Sequence, residues 1–162
     1  MKQKPVVFAG SFDPVTNGHL DLIRRARAVF GAVVVVVAEN ARKQYCFTAQ
    51  ERADLLREAL KKEKNVRVDI CKGLLADYLK KNKLHVLVRG LRGAEDAREE
   101  LAGAFYNKLF YGAGETVFLP AAQGQEFIRS SAVKEAARFG ADVSACVPPC
   151  VAQALRRKIK GE

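Results

Sequence analysis

The sequence predicts an α/β protein built on a doubly wound, five-stranded parallel sheet. Short apolar runs alternate with helical patterns, and the runs are continuous rather than alternating in polarity. A parallel strand is covered by helices on both faces, so it needs apolar side chains on both and leaves an unbroken run. Val6 to Ala9 is the first such run. Ala32 to Ala38, with valine at every position from Val33 to Val37, is the second; Val66 to Ile70, Val86 to Val88 and Thr116 to Leu119 complete the set.

Helix signals fill the intervals. Leu20, Ile23, Ala26 and Val29 recur at helical spacing, and Gly31 stands where a left-handed cap ends a helix. Thr48 and Glu51 form a capping box that opens a helix carrying Ala53, Leu56 and Leu60. Leu74 to Lys81 and Ala97 to Leu109 give two more. Ser130 or Ser131 opens a helix through Phe139, and the pair Pro148-Pro149 introduces a last one through Lys158. No repeat, low-complexity segment or Pro/Gly/Ser-rich linker interrupts the pattern, so the whole chain, 1–162, is expected to form one Rossmann-like domain.

Composition narrows the function classes. Lys and Arg number 28 against 18 Asp and Glu, a formal net charge of +10, which favours phosphorylated or polyanionic partners. Nucleic-acid binding would gather these cations in a tail or stripe with interleaved aromatics. The nearest approach is Arg156, Arg157, Lys158 and Lys160, which suit the last turns of a helix, where cations complement the macrodipole. No nucleic-acid or membrane partner is expected. Cys46, Cys71, Cys146 and Cys150 contain no CxxC pair, and with only His19 and His85 beside them they read as free, mostly buried thiols rather than zinc ligands. The apolar run after the N-terminal Met-Lys-Gln-Lys-Pro is too short for an export signal and no span reaches transmembrane length, so the expected compartment is the cytoplasm.

The chemistry concentrates in Gly10-Ser11-Phe12-Asp13-Pro14-Val15-Thr16-Asn17-Gly18-His19, which leaves the first strand and enters the first helix. Ligands of open α/β sheets bind beyond the carboxyl ends of the strands, where helix N-termini offer N–H groups to phosphate. The glycines lack GxGxxG spacing and no Gly-Lys-Ser/Thr follows, so this is neither a dinucleotide fingerprint nor a P-loop. Gly18 permits close backbone approach, and His19 can offer a ring N–H to a phosphate oxygen. Read from residues alone, His19 could instead be satisfied within the helix cap, and Asp13 reads as a turn-stabilising Asp-Pro.

This segment resembles the signature of the nucleotidyltransferase superfamily, and further motifs resemble its phosphopantetheine adenylyltransferase branch. They are Lys43 before Phe47-Thr48-x-x-Glu51-Arg52, then Val88-Arg89-Gly90-Leu91-Arg92, then Phe127-Ile128-x-Ser130-Ser131-x-Val133-Lys134-Glu135. The resemblance implies transfer of AMP from ATP to 4'-phosphopantetheine, giving 3'-dephospho-coenzyme A and pyrophosphate. It implies His19 as the stabiliser of the transition state and Ser11 and Phe12 as phosphate contacts. ATP would also meet Gly90, Leu91, Arg92, Glu100 and the loop Gln125, Glu126, Phe127, Ile128, Arg129, Ser130 and Ser131. The acceptor would meet Ser11, Lys43, Leu75 and Arg89. Serine at 11 replaces the usual threonine and keeps its hydroxyl, while Arg129 stands where the family often has serine. The resemblance further implies Mg²⁺ entering with ATP and bound by no assigned side chain, a homohexamer, and feedback inhibition by coenzyme A. From residues alone, Arg89 and Arg92 could pair with Glu95 and Asp96, Lys43 could be a solvated loop cation, Glu100 could be solvated beside Glu99, and Ser130 and Ser131 could be simple caps. The competing functions are a sister transferase acting on nicotinamide mononucleotide or glycerol phosphate, and a non-catalytic nucleotide- or nucleic-acid-binding protein.

Overall fold

The computed structural model describes residues 4–39 and 43–161. Residues 1–3, which open the sequence read above as carrying no export signal, lie outside the described part. Five parallel strands, β1 (Val6–Gly10), β2 (Val33–Ala38), β3 (Val66–Cys71), β4 (Val86–Leu91) and β5 (Glu115–Pro120), form one sheet in the order β3-β2-β1-β4-β5. Six helices accompany them: α1 (Asn17–Phe30), α2 (Ala49–Ala59), α3 (Leu75–Lys81), α4 (Ala94–Phe110), α5 (Ser130–Arg138) and α6 (Pro149–Lys160). The α/β class, the parallel sheet and its strand number are those expected from the sequence.

All five valines of β2 are buried, because the strand has helices over both faces and neighbours on both edges. One apolar layer joins Val6, Phe8, Val33, Val35 and Val37 to Leu20, Ile23, Leu56 and Leu155; a smaller one joins Val7, Ala9, Val34 and Val36 to Leu79 and Leu84. Alternate residues of each central strand therefore serve opposite layers, the period-two rule of a strand.

The chain reverses direction across the sheet between β1 and β4, where the order turns from β1-β2-β3 to β4-β5. Pairing of β1 with β4 covers only Val7 with Leu87 and Phe8 with Val88, while β4 remains paired to β5 as far as Leu91 with Pro120. The strands part at their carboxyl ends, and that gap is the switch point at which ligands of such sheets bind.

Several boundaries differ from the sequence reading. β4 runs through Leu91, beyond the Val88 at which the apolar run ends, so Gly90 and Leu91 belong to the strand as well as Arg89. An ideal Cβ on Gly90 would stand 2.4 Å from Leu22 Cδ1 of α1, so glycine here permits close helix-to-strand packing. Val29 shares the helical spacing of Leu20 but is 66% exposed; the last turn of α1 packs Phe30 against the core in its place. α4 begins three residues earlier than Ala97 and buries no residue. Arg129, not a serine, occupies the N-cap position of α5 and makes no side-chain cap bond. All four cysteines are free, but only Cys71 is buried; Cys46, Cys146 and Cys150 are half-buried.

The Gly90–Leu22 contact gives a stability test. Gly90→Ala is expected to cost about 1–3 kcal/mol by overpacking, and that cost should shrink in a Leu22→Ala background. Chemical denaturation of the four proteins of the cycle measures it; additive effects would show that the two residues do not meet as described.

Candidate active site

The first turn is shaped by packing and by one buried carboxylate. Phe12 has a left-handed backbone (φ 50°), costly for a side chain of its bulk, and its ring is 98% buried between Phe8 and His19. Gly10 allows that ring to fold back, because a Cβ would meet it at 3.0 Å. Asp13, 4% exposed, accepts hydrogen bonds from the N–H groups of Cys46 (3.0 Å) and Phe47 (2.9 Å) and from Lys134 Nζ (2.6 Å). The carboxylate thus ties the turn to the chain that follows Lys43 and to α5. This makes Asp13 a structural anchor, more than the local Asp-Pro turn former expected.

Thr16 caps α1 and orients His19. The His19 N–H donates to Thr16 Oγ1 (3.4 Å), and the Thr16 N–H donates to His19 Nδ1 (3.1 Å), a capping box in which imidazole takes the usual place of Glu. Thr16 Oγ1 also lies 3.0 Å from Nδ1. An Nδ1 that accepts carries no proton, so the ring proton sits on Nε2. Desolvation first, then the positive charges of Arg92, Arg89 and Lys43, lower the His19 pKa from 6.5 to about 4. His19 as a whole is half-buried. His19 is therefore a neutral Nε2–H donor at neutral pH, with Nδ1 taken up by the helix cap.

The second half of the site comes from β4 and α4. Arg89 Nε and Nη2 each donate to Glu100 at 2.6 Å, and Nη1 donates to the Ala9 carbonyl across the parted strands. Arg92 makes its own pair with Asp96, Nη2 to Oδ1 at 2.6 Å. Glu95 meets Arg129 at 3.8 Å instead. The surface pairing considered for the two arginines thus holds for Arg92 and Asp96 but not for Arg89, whose partner is Glu100. Glu100 is therefore paired with a cation and not solvated beside Glu99.

Leu91, Arg92, Gly93, Ala94 and Glu126 line a shallow cleft of about 610 Å³ beside the ends of β4 and β5. In the loop before α5, the backbone carbonyl of Gln125 approaches Gly18, 3.6 Å from where a Cβ would stand. Ile128 packs on the core, whereas Phe127 is 81% exposed and Arg129 is exposed. Ser130 Oγ donates to the Pro14 carbonyl (2.9 Å), fastening this loop to the first turn instead of capping its helix, and Ser131 is exposed. Leu75 stands apart: it begins α3 after the edge strand β3 and packs with the smaller apolar layer. Lys43 is exposed and near enough for its charge to reach His19. A second depression of about 600 Å³, lined by Lys4, Ala32, Asn65 and Lys83, lies at the amino ends of the strands, away from these groups.

Sequence reasoning passed over Thr16 as the orienter of His19, Lys134 as the partner of Asp13, and Arg52. Arg52 is fully buried and precedes buried Leu56 by one helical turn, so the apolar phase of α2 was the signal for it.

In the unliganded protein, nitrogen NMR should find His19 protonated on Nε2 with a titration midpoint near 4, the value to which the environment lowers it. The unfolded ring binds its proton near 6.5, so between about 4 and 6.5 the unfolded state holds more protons. The stability contributed by neutral His19 is complete above that window and lost as pH falls through it. A midpoint at 6 or above would contradict the burial and charge argument.

Comparison with known proteins agrees with this architecture. The cytidylyltransferase-like family model matches residues 7–136. A phosphopantetheine adenylyltransferase of Thermotoga neapolitana is 49% identical over 95% of this chain and 96% of its own length. Its counterparts in Dictyoglomus turgidum and Carboxydothermus hydrogenoformans are 46% and 44% identical, over 95% and 96% of this chain and 96% of each relative. Such likeness over nearly the whole length, with the turn, the strand-end arginines and the late loop gathered at one switch point, means that the chain belongs to the phosphopantetheine adenylyltransferase family of nucleotidyltransferases.

Proposed function

We propose that the protein catalyses reversible transfer of AMP from ATP to 4'-phosphopantetheine, forming 3'-dephospho-coenzyme A and pyrophosphate, and that residues 1–162 act as one nucleotidyltransferase domain. The observation that carries this reading is the convergence of a neutral His19 N–H donor with Arg89, Arg92 and Lys43 where β1 and β4 part.

A phosphomonoester has its second pKa near ~6, so the acceptor is largely ionised at neutral pH and requires no protein base. What the reaction requires is alignment of two anions and stabilisation of charge at the α-phosphate. Ser11 and the Phe12 N–H hold phosphates of both substrates, Lys43 and Arg89 the acceptor phosphate, and the Leu75 backbone the pantetheine arm. Gly90, Leu91 and Arg92 receive ATP, and Gln125, Glu126, Phe127, Ile128, Arg129, Ser130 and Ser131 close on the nucleotide. His19 Nε2–H bonds an α-phosphate oxygen and gains strength as negative charge develops there. Being neutral, it leaves ground-state phosphate binding to the arginines and lysine, so its contribution falls on the transition state. Glu100 holds Arg89 in its forked geometry beside the nucleotide.

The crevice carboxylates Asp13, Asp96 and Glu100 are taken up by Lys134, Arg92 and Arg89, and no cluster of three or more metal-binding side chains occurs among the described residues. The residues present thus form no cage for a resident ion. Mg²⁺ enters as part of its ATP complex, with phosphate oxygens and water as ligands. The lack of a described helix long and apolar enough to cross a membrane fits a cytoplasmic enzyme. Coenzyme A, which shares the product's groups, suits the same cationic crevice as a feedback inhibitor.

The homohexamer implied by the family has a candidate contact surface in α4, on which Leu101, Phe105, Tyr106, Leu109 and Phe110 are each more than half exposed. Such an apolar row is costly in water unless another surface covers it. Phe105→Glu with Leu109→Lys is expected to reduce the assembly to smaller species in sedimentation velocity; an unchanged hexamer would remove α4 from the interface, and a wild-type monomer would remove the hexamer.

Function is tested by pyrophosphate release with ATP and Mg²⁺ against 4'-phosphopantetheine, nicotinamide mononucleotide, glycerol phosphate and no acceptor. Release is expected only with phosphopantetheine, and His19→Ala should lower kcat by roughly 10²–10³ with a smaller change in acceptor KM. Release with another acceptor would move the enzyme to a sister branch, and ATP binding without any release would make it a binding protein.

A further inference from the structure

Arg52, in the second turn of α2, is completely buried, yet no carboxylate lies within hydrogen-bond distance of its guanidinium among the described residues. Its nearest carboxylate oxygen is Glu39 Oε1, 3.7 Å from Nη2. Its bonds go to backbone carbonyls: Nε to Phe47 (3.1 Å) and Thr48 (3.3 Å), and Nη1 to Ser11 (2.7 Å). The Tyr45 ring covers its central carbon at 4.0 Å. Burial of a charge costs several kcal/mol, and an apolar side chain of similar volume generally fills such a space with equal or greater stability. Stability alone therefore does not account for a charge here; what it connects does.

It connects the two segments that carry the phosphate-holding groups. Ser11 belongs to the first turn, and residues 45–48 follow Lys43. The peptide from Ser11 to Phe12 is trans, so a Ser11 carbonyl turned toward Arg52 directs the Phe12 N–H to the opposite side. The 45–48 segment is gripped twice: Asp13 accepts from its N–H groups at Cys46 and Phe47, and Arg52 donates to its carbonyls at Phe47 and Thr48. Only a rigid planar fork reaches carbonyls in these separate directions; an ammonium on a flexible stem does not.

We propose that Arg52 is a positioning residue for AMP transfer: its buried guanidinium locks the Ser11–Phe12 peptide to the 45–48 segment and so fixes the spacing between the donors of the first turn and Lys43. The catalytic part of this inference rests on the subsite reading above, since it is the relative placement of two bound phosphates that Arg52 governs. Misplacement by about 1 Å is enough to lower a rate by roughly a hundredfold without removing any contacting group.

The test compares the wild type with Arg52→Lys, which keeps the charge, and Arg52→Met, which keeps the apolar bulk. Arg52→Lys is expected to lower kcat roughly 10- to 100-fold while KM for each substrate moves less than about threefold, as loss of alignment requires. Amide exchange should rise together at residues 11–12 and 43–48 and stay unchanged at 34–36. Arg52→Met, if it folds, should show the same pattern whatever its melting temperature; if it does not fold, Arg52→Lys decides alone. A lowered melting temperature with wild-type kcat, or faster exchange confined to 46–49, would overturn the proposal and leave Arg52 a stabilising residue. Absence of turnover by the wild type with phosphopantetheine would instead overturn the functional reading, and the exchange pattern would then decide whether Arg52 couples the two segments.

Discussion

The early end of the pairing between β1 and β4 is the constraint on which the site depends. Their ladder stops at Phe8 and Val88, although β1 continues to Gly10 and β4 to Leu91. Past that point the Ala9 carbonyl accepts from the Arg89 side chain, so a guanidinium replaces strand pairing at the mouth of the gap. The chain on one side of the gap contributes Ser11, Phe12 and His19; the other contributes Arg89 and Arg92. Neither half could bring both sets together without β1 at the centre of the sheet.

Charge is then arranged with economy. Arg89 and Arg92 each hold a carboxylate from α4, which fixes their direction and moderates their repulsion. His19, packed beside them, loses its own charge by desolvation and by their fields, while Thr16 decides which nitrogen keeps the proton. Its neighbours thus keep the ring neutral well below the pH at which an ordinary histidine takes up its proton. Because the acceptor brings its own ionised nucleophile, the absence of a Ser/His/Asp constellation around His19 among the described residues accords with the chemistry.

The fold was legible because its signals are local. Unbroken valine in β2, the capping box of Thr48 and Glu51, and Gly31 with φ 81° each state their own conformation. The motif around Gly10 to His19 could be placed at a strand end for the same reason. What could not be read was pairing between distant segments. The sequence offered Glu95 and Asp96 as partners for the arginines, and only the packing of α4 on β4 selected Glu100 for Arg89. The bond from Ser130 to Pro14 and that from Lys134 to Asp13 span 116 and 121 residues, so composition and spacing hold no trace of them. Val29 shows the converse, an apolar residue at helical spacing that faces out while its neighbour Phe30 takes the place on the core.

The proposed transfer moves AMP directly between two bound phosphates held in line, with no group of the protein becoming adenylylated. The stereochemical course at the α-phosphorus tests it most directly. With ATP made chiral at that atom by sulfur substitution, one in-line displacement predicts dephospho-coenzyme A of inverted configuration. Retention would require two successive displacements through an adenylylated side chain, and would contradict an enzyme that works by position and charge alone.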